Sequence, residues 1–194
     1  HYFLKEISEA PASVRRTLEN RWKINNTDGR RYEITLDETT IPQALLDRIT
    51  HGRIGQILFI GQGTAGVAAS ACANLMRYYL DEPTMRIEAL KSSELSGFVL
   101  NESDGRDLSD TLLVPISQSG TTTDTNRTVD MVRKKGASSV CIVNRRDSDL
   151  TFKTSGVLYT SSGRDIEMSV ASTKAFYSQI IAGAVLALYI AQAT

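Results

Sequence analysis

The sequence has 194 residues, 41% of them hydrophobic and 23% charged, which suits one soluble globular domain with enough apolar material for a sizeable core. Its 22 basic and 22 acidic side chains cancel to a formal net charge of zero, which excludes a broad cationic footprint for nucleic acid, and the short run Arg133, Lys134, Lys135 reads as a solvated helix end. The two cysteines, Cys72 and Cys141, stand outside any Cys-x-x-Cys or Cys/His cluster, so no metal ligand set is offered and two free thiols in a reducing, cytoplasmic setting are expected.

Residues 3–22 carry apolar positions at helical spacing with Pro11 interrupting, which predicts two helical pieces. "NNTDGR" (25–30) is a turn, and "YEITL" (32–36) alternates like a short strand. "TTIPQALLDRIT" (39–50) predicts a helix opened by a capping threonine and an early proline. "GQILFIG" (55–61) is an apolar run ended by glycine, the pattern of a buried parallel strand. From there helix (65–80), strand (85–90), short helix (92–98), strand (111–117), helix (122–136) and strand (138–144) alternate. A last short strand (156–160) precedes a long helix (169–193), and residues 100–110 are the best loop candidate. The final apolar run, 180–193, is too short to span a bilayer, and no signal peptide opens the chain. That helix is apolar on so many sides that it is expected to be buried widely or to cover a partner. The alternation predicts an α/β fold, a three-layer α/β/α sandwich around a parallel sheet of about five strands. Ligands in such sheets bind outside the carboxyl ends of the strands.

Two loops stand at predicted strand ends, each before a helix. "GQGTAG" (61–66) fits G-x-G-x-x-G, but the acidic residue that would confirm a dinucleotide site, Glu88, falls inside the next strand rather than at its tip. A Walker loop fails because no Gly-Lys-Ser/Thr follows. "SQSGTTTDT" (117–125) crowds hydroxyls around Gly120. Helix N-termini favour anions, and serine and threonine add donors without bulk, so a phosphate cradle is the reading. Helix capping by Ser119 or Thr121 is the plainer alternative, although a cap needs only one hydroxyl. In "GRDIEMSVASTKAF" (163–176), Glu167 and Lys174 are weak catalytic candidates, readable equally as a helix-start acid and a helix-face lysine. His1 and His51, the two histidines, lie away from the predicted crevice, which leaves a Ser-His-Asp arrangement little support.

The 117–125 loop resembles the S-x-S-G-x-T-x-[DE]-[TV] phosphate motif of the sugar isomerase (SIS) domain family. More narrowly, the chain resembles the first of two SIS domains in the glutamine–fructose-6-phosphate aminotransferases. "HYFLKEISEAPASVRRTL" resembles the segment joining their glutaminase and isomerase halves. "GQGTAG" stands where they carry Cys-Gly-Thr-Ser, "SSEL" resembles their Ser-Glu-Phe element, and "VASTKAF" the start of their long helix. The resemblance implies a helical linker over 1–30 from an upstream domain and a phosphosugar-binding domain over 31–194. It implies substrate contacts from Thr64, Ser117, Gln118, Ser119, Thr122, the Val170 backbone and Ser172. The implied ligand is fructose 6-phosphate or glucosamine 6-phosphate, with no metal or organic cofactor. A homodimer or a domain–domain partner is implied as well. The implied parent reaction passes ammonia from glutamine to fructose 6-phosphate and isomerises the product to glucosamine 6-phosphate.

Three departures qualify the substrate. Gln62 replaces the loop cysteine, Ala65 replaces a serine that contacts the phosphosugar, and Arg164, Asp165 and Met168 are unusual before "VASTK". They keep open a divergent SIS isomerase or deglycase, or a non-catalytic phosphosugar-sensing module. Because the family's ring-opening and proton-transfer residues lie largely in the second SIS domain and the C-terminal tail, this sequence reads as part of a larger enzyme, inactive alone.

Overall fold

The computed structural model describes residues 2–27, 32–101, 103, 105–168 and 172–194. Helices α1 (Tyr2–Ser8) and α2 (Ala10–Leu18) are the two pieces expected around Pro11, which sits in the first turn of α2, where a missing N–H costs no helical bond. β1 (Trp22–Lys23) and β2 (Glu33–Ile34) pair antiparallel as a small ribbon apart from the main sheet, shorter than the strand expected over 32–36. α3 (Gln43–Thr50) begins after Pro42 without a side-chain cap. The expected threonine cap is absent because Asp37 takes both the Thr39 hydroxyl and the Thr40 N–H.

The regular part follows as β3 (Gln56–Gly61), α4 (Thr64–Leu80), β4 (Arg86–Lys91) and α5 (Ser92–Glu94), which runs into a π-turn at Leu95–Val99. Next come β5 (Thr111–Ser117), α6 (Thr123–Lys134), β6 (Ser138–Val143), α7 (Asp149–Lys153), β7 (Gly156–Tyr159) and α8 (Lys174–Ala193). The five-residue α7 was not expected, being too short for a helical period to show.

The five long strands form one parallel sheet in the order β4-β3-β5-β6-β7. Alternation along the strands sends Ile57, Phe59, Leu112, Val114, Ile116, Val140 and Ile142 into one core, against Cys72, Met76, Ala182 and Leu186. The intervening Leu58, Ile60, Leu113, Cys141 and Val143 enter a second core with Leu95, Val129 and Val132. Helices therefore cover both faces, giving the three-layer sandwich. Pro115 sits in the central strand β5 and pairs with Ile60 of β3, while the ladder to β6 lapses between the Leu113–Ser139 and Ile116–Ile142 pairs. A residue without an N–H is tolerated there because the gap is local and the flanking pairs keep the same register.

The helix α8 is 20 residues long and, among the described helices, alone long and apolar enough to cross a membrane, yet half of its apolar window is buried inside the domain. Ala182, Leu186, Ala187 and Ile190 pack into the core with α4 and the sheet, which accounts for part of that apolar surface, while α2 meets α8 through polar groups. α4 meets α8 through small residues, Ala69, Cys72 and Ala73 against Ala182, Gly183 and Ala187. Both thiols are free and buried, and burial pushes them up to about 12 for Cys72 and about 11 for Cys141, so neither is a thiolate near neutrality.

The N-terminal helices dock through polar groups. Glu6 accepts from the Met168 N–H at 2.6 Å and the Thr173 hydroxyl at 3.1 Å. Glu9 pairs with the buried Lys174. Ser13 bonds Asp165 and, at 2.5 Å, Ser178. Arg16 reaches Asp165 at 2.6 Å and Ser161 at 2.7 Å, and the Thr17 hydroxyl accepts from the Ser161 N–H at 2.8 Å. These five side chains recur three or four residues apart, or adjacently, along one helical face. Arg16 and Thr17 bond Ser161, which with Ser162 has φ of 48° and 54°, a left-handed conformation that side chains seldom adopt.

Two outcomes follow. A Cβ on Gly183 would lie 2.2 Å from the Cys72 Sγ and 2.8 Å from its Cβ. The overpacking cost of about 1–3 kcal/mol exceeds the gain of about 1 kcal/mol in helix propensity. Gly183→Ala is therefore expected to lower the urea midpoint, and adding Cys72→Ala to recover part of the loss. Hydrogen bonding from Lys174 holds the Glu9 carboxyl below its ordinary value of 4.5. A depressed folded value means that the pair's stability is present above 4.5 and is lost as pH falls through the lower folded value. The midpoint of Glu9→Gln should accordingly fall less steeply than that of the parent chain between about pH 5 and pH 3.

Candidate functional site

Because β3 lies between β4 and β5, the chain departs to opposite sides of β3 and leaves a crevice at the carboxyl ends of β3 and β5. The loops 62–65 and 117–122 flank that gap. Together they border a cavity of about 290 Å³ lined by Gln62, Gly63, Thr64, Ala65, Ile116, Ser117, Gln118, Ser119 and Thr122, with Glu167, Ser172 and Gln179 completing the wall.

The first loop turns at Gly63, whose φ of 58° and ψ of −129° are open to glycine and strained for other residues. In the second loop Gly120 has φ of 67° and packs against Ser148. The Ser117 hydroxyl accepts the Gly120 N–H at 3.0 Å and lies 3.4 Å from the Thr122 hydroxyl. Three of the loop's carbonyls are engaged elsewhere. Gln118 O accepts from the Arg145 N–H and Gly120 O from the Leu150 N–H, while the Asn126 amide donates to Gly120 O and Thr122 O at 3.1 Å each. Oxygens that would repel an anion are thus occupied by donors.

The residue preceding α6 is Thr122, and no side chain caps that helix; Gly63 precedes α4, also without a side-chain cap. The capping role considered for Ser119 or Thr121 is not realised, since the helix starts beyond both and their hydroxyls bond each other at 3.1 Å. Two helix N-termini consequently open on one crevice, each with unfilled N–H groups and the positive dipole end.

The third helix start at the crevice is closed. Glu167 accepts from the N–H groups of Thr173 and Ala175 and from the Thr173 hydroxyl, each at 2.9 Å, and from the Ser172 hydroxyl at 3.1 Å. Its carboxylate caps α8 and is the one ionisable side chain among the described lining residues. Lys174 instead lies in its ion pair with Glu9, outside the lining. Thr64, Ser117, Gln118, Ser119, Thr122 and Ser172 come together as expected; Val170 lies outside the described residues, as does His1. His51 is exposed near the Asp47 carbonyl, and Glu88 pairs with Arg86 at 3.0 Å within β4, so neither joins the crevice.

Sequence reasoning missed Gln179. It is 1% exposed, it lines the cavity, and its amide nitrogen and oxygen lack a partner among the described residues. Each such buried group costs about 1–3 kcal/mol when unpaired. The available signal was compositional, a glutamine at the head of the largely apolar stretch 179–193.

A doubly wound parallel sheet with a hydroxyl-rich crevice at its switch point defines an α/β domain suited to a small anionic ligand. The chain belongs to the SIS domain family, whose model matches residues 53–189. A glutamine–fructose-6-phosphate aminotransferase (isomerizing) of Corynebacterium diphtheriae is 36% identical over 97% of this chain, and one of Halobacterium salinarum is 30% identical over 100% of it. The chain spans only 27% and 29% of the length of those curated relatives. Among solved structures, the C-terminal domain of glucosamine-fructose-6-phosphate aminotransferase from Francisella tularensis matches at a TM-score of 0.78 and 29% identity, covering 100% of this chain and 48% of that one. A glucosamine-6-phosphate deaminase of Thermotoga maritima, at 19% identity, TM-score 0.68 and coverage of 99% and 49%, shares the fold.

The loop geometry can be broken at one atom. A Cβ on Gly120 would meet the Ser148 Oγ at 2.0 Å, at a φ of 67° that already disfavours a side chain. Millimolar inorganic phosphate is expected to protect the parent chain against thermal unfolding, and Gly120→Ala, by displacing the loop, to abolish that protection. Intact protection in the variant would show that the loop is not the anion site.

Proposed function

We propose that the chain is the first isomerase-half domain of a glutamine–fructose-6-phosphate aminotransferase and that it holds the phosphosugar while ammonia from glutamine is incorporated. The observation that carries this reading is the uncapped pair of helix N-termini opening beside a run of hydroxyls, with no lysine or arginine among the described lining residues. Ser117, Ser119 and Thr122, with the first N–H groups of α6, hold the phosphate. Gln118, Thr64 and Ser172, and the backbone of Val170, hold the sugar. Residues 1–30 form the linker from an upstream domain, and 31–194 the phosphosugar domain. The shares of 27% and 48% covered in the relatives leave room for a glutaminase and a second SIS domain, which supports placing ammonia release and proton transfer outside this chain. The raised thiols of Cys72 and Cys141 suit neither for the glutaminase nucleophile, and Glu167 is committed to capping α8. A cytoplasmic location and a partner of the same fold, either a second copy or the second domain, belong to the same proposal. A second reading, a divergent domain acting on another phosphosugar, is favoured by Ala65 and Gln62 at the first loop.

Charge-assisted hydrogen bonds to a desolvated dianion are worth about 1.5–3 kcal/mol each. Ser119→Ala combined with Thr122→Ala is therefore expected to weaken fructose 6-phosphate binding by about tenfold or more at about 1.4 kcal/mol per decade, with little change in thermal stability. Calorimetric titration of both forms checks this, and equal affinities would reduce the hydroxyls to filler.

A further inference from the structure

We propose that Gln179 is a specificity-determining residue whose side-chain amide hydrogen-bonds the polyol portion of the ligand, an inference that rests on the phosphosugar reading of the crevice. Five buried side-chain atoms lack partners among the described residues, and Gln179 is the one side chain with both of its polar atoms among them. It is 1% exposed and is one of the residues that border the crevice, and both atoms of its amide are buried without a partner among the described residues. It lies in the second turn of α8, and helical side chains tilt toward the N-terminus. The N-terminus of α8 is the end that meets the crevice through Glu167 and Ser172.

The chemistry of the amide selects the part of the ligand it serves. A phosphate dianion only accepts hydrogen bonds, and the 117–122 loop offers it hydroxyl and N–H donors. An amide offers two N–H donors and one acceptor oxygen, so a phosphate would leave the Gln179 Oε1 unpaired. A sugar hydroxyl both donates and accepts, and two neighbouring hydroxyls satisfy both ends of the amide. Ala65 brings no hydroxyl to the first loop's side of the cavity, so polyol recognition falls more heavily on Gln179. The ligand class that satisfies both sets of groups is a phosphorylated polyhydroxy compound; inorganic phosphate satisfies the loop alone.

The test is calorimetric titration of the 194-residue chain and of Gln179→Met with fructose 6-phosphate, glucosamine 6-phosphate and inorganic phosphate, together with urea midpoints. Methionine keeps the shape of glutamine and removes its polar atoms, and an amide unpaired without ligand is replaced by such a group at little or no loss of stability. The expected result is a loss of at least tenfold in sugar phosphate affinity, unchanged affinity for inorganic phosphate, and a midpoint that is unchanged or raised. Unchanged sugar phosphate affinity overturns the inference and leaves the phosphate site standing. An equal loss for sugar phosphate and inorganic phosphate, or a lowered midpoint, shows that Gln179 is a structural residue satisfied by buried water, and likewise overturns it. Parent chain that binds inorganic phosphate but no sugar phosphate overturns the polyol assignment alone. Parent chain that binds none of the three overturns the phosphosugar reading and this inference together.

Discussion

The site depends on one strand. β5 is buried at all seven positions and pairs with β3 on one side and β6 on the other. A strand covered on both faces has to be apolar throughout, and β5 is apolar except at its two ends, Thr111 and Ser117. Ser117 is therefore the first residue along β5 that can face the crevice with a polar group, and its hydroxyl at once takes up the Gly120 N–H. The turn that follows directs the chain into α6. Because β3 ends beside β5 at the same level, its own turn into α4 lands across a narrow gap. Convergence of two helix N-termini is thus a consequence of strand order, with the residues between strand and helix free to supply chemistry.

A second layer of control lies in the N-terminal helices. Glu6, Glu9, Ser13, Arg16 and Thr17 grip the segment from Ser161 to Ser178 by hydrogen bonds and two ion pairs. That segment carries Glu167 and Ser172, one wall of the crevice. The two consecutive left-handed serines in it cost energy that local contacts must offset, and Arg16 and Thr17 are the groups that bond Ser161. Asp165, unusual by comparison with the family pattern, is the acceptor at which Ser13, Arg16 and Ser161 meet. Its departure from that pattern thus has a structural account.

The sheet was legible because buried parallel strands are short apolar runs between turn signals, and α4 and α6 follow from their spacing. The two loops were legible because glycine and hydroxyl residues cluster there between a strand and a helix. Polar contacts between distant segments were not legible. Nothing in "KEISEAPASVRRTL" marks Glu6 or Ser13 as buried, since burial of such groups depends on partners more than 150 residues away. Glu167 was ambiguous for the same reason: a carboxylate before a helix is catalyst or cap according to which N–H groups reach it. Lys174 was read as a helix-face residue or a nucleophile and is instead the buried partner of Glu9. The width of α8's apolar surface points to an outside partner, and α4 covers part of that surface by the close approach that Gly183 permits.

A crevice with no lysine or arginine among its described lining residues would hold an anion differently from a cationic one. A fixed ammonium attracts any anion at long range, and its pull falls with salt. Hydroxyls and helix N–H groups act at contact distance and require an acceptor of the right shape, so the gain comes from geometry. The carbonyls of the 117–122 loop, tied back by Arg145, Leu150 and Asn126, contribute by not opposing the anion. Glu167 follows the same rule, since a carboxylate in the crevice wall would repel a phosphate if it were free, and the N-terminus of α8 absorbs its charge. On the proposed reading, selectivity among anions passes from charge to the groups that read the remainder of the ligand: Thr64, Gln118, Ser172 and the buried amide of Gln179.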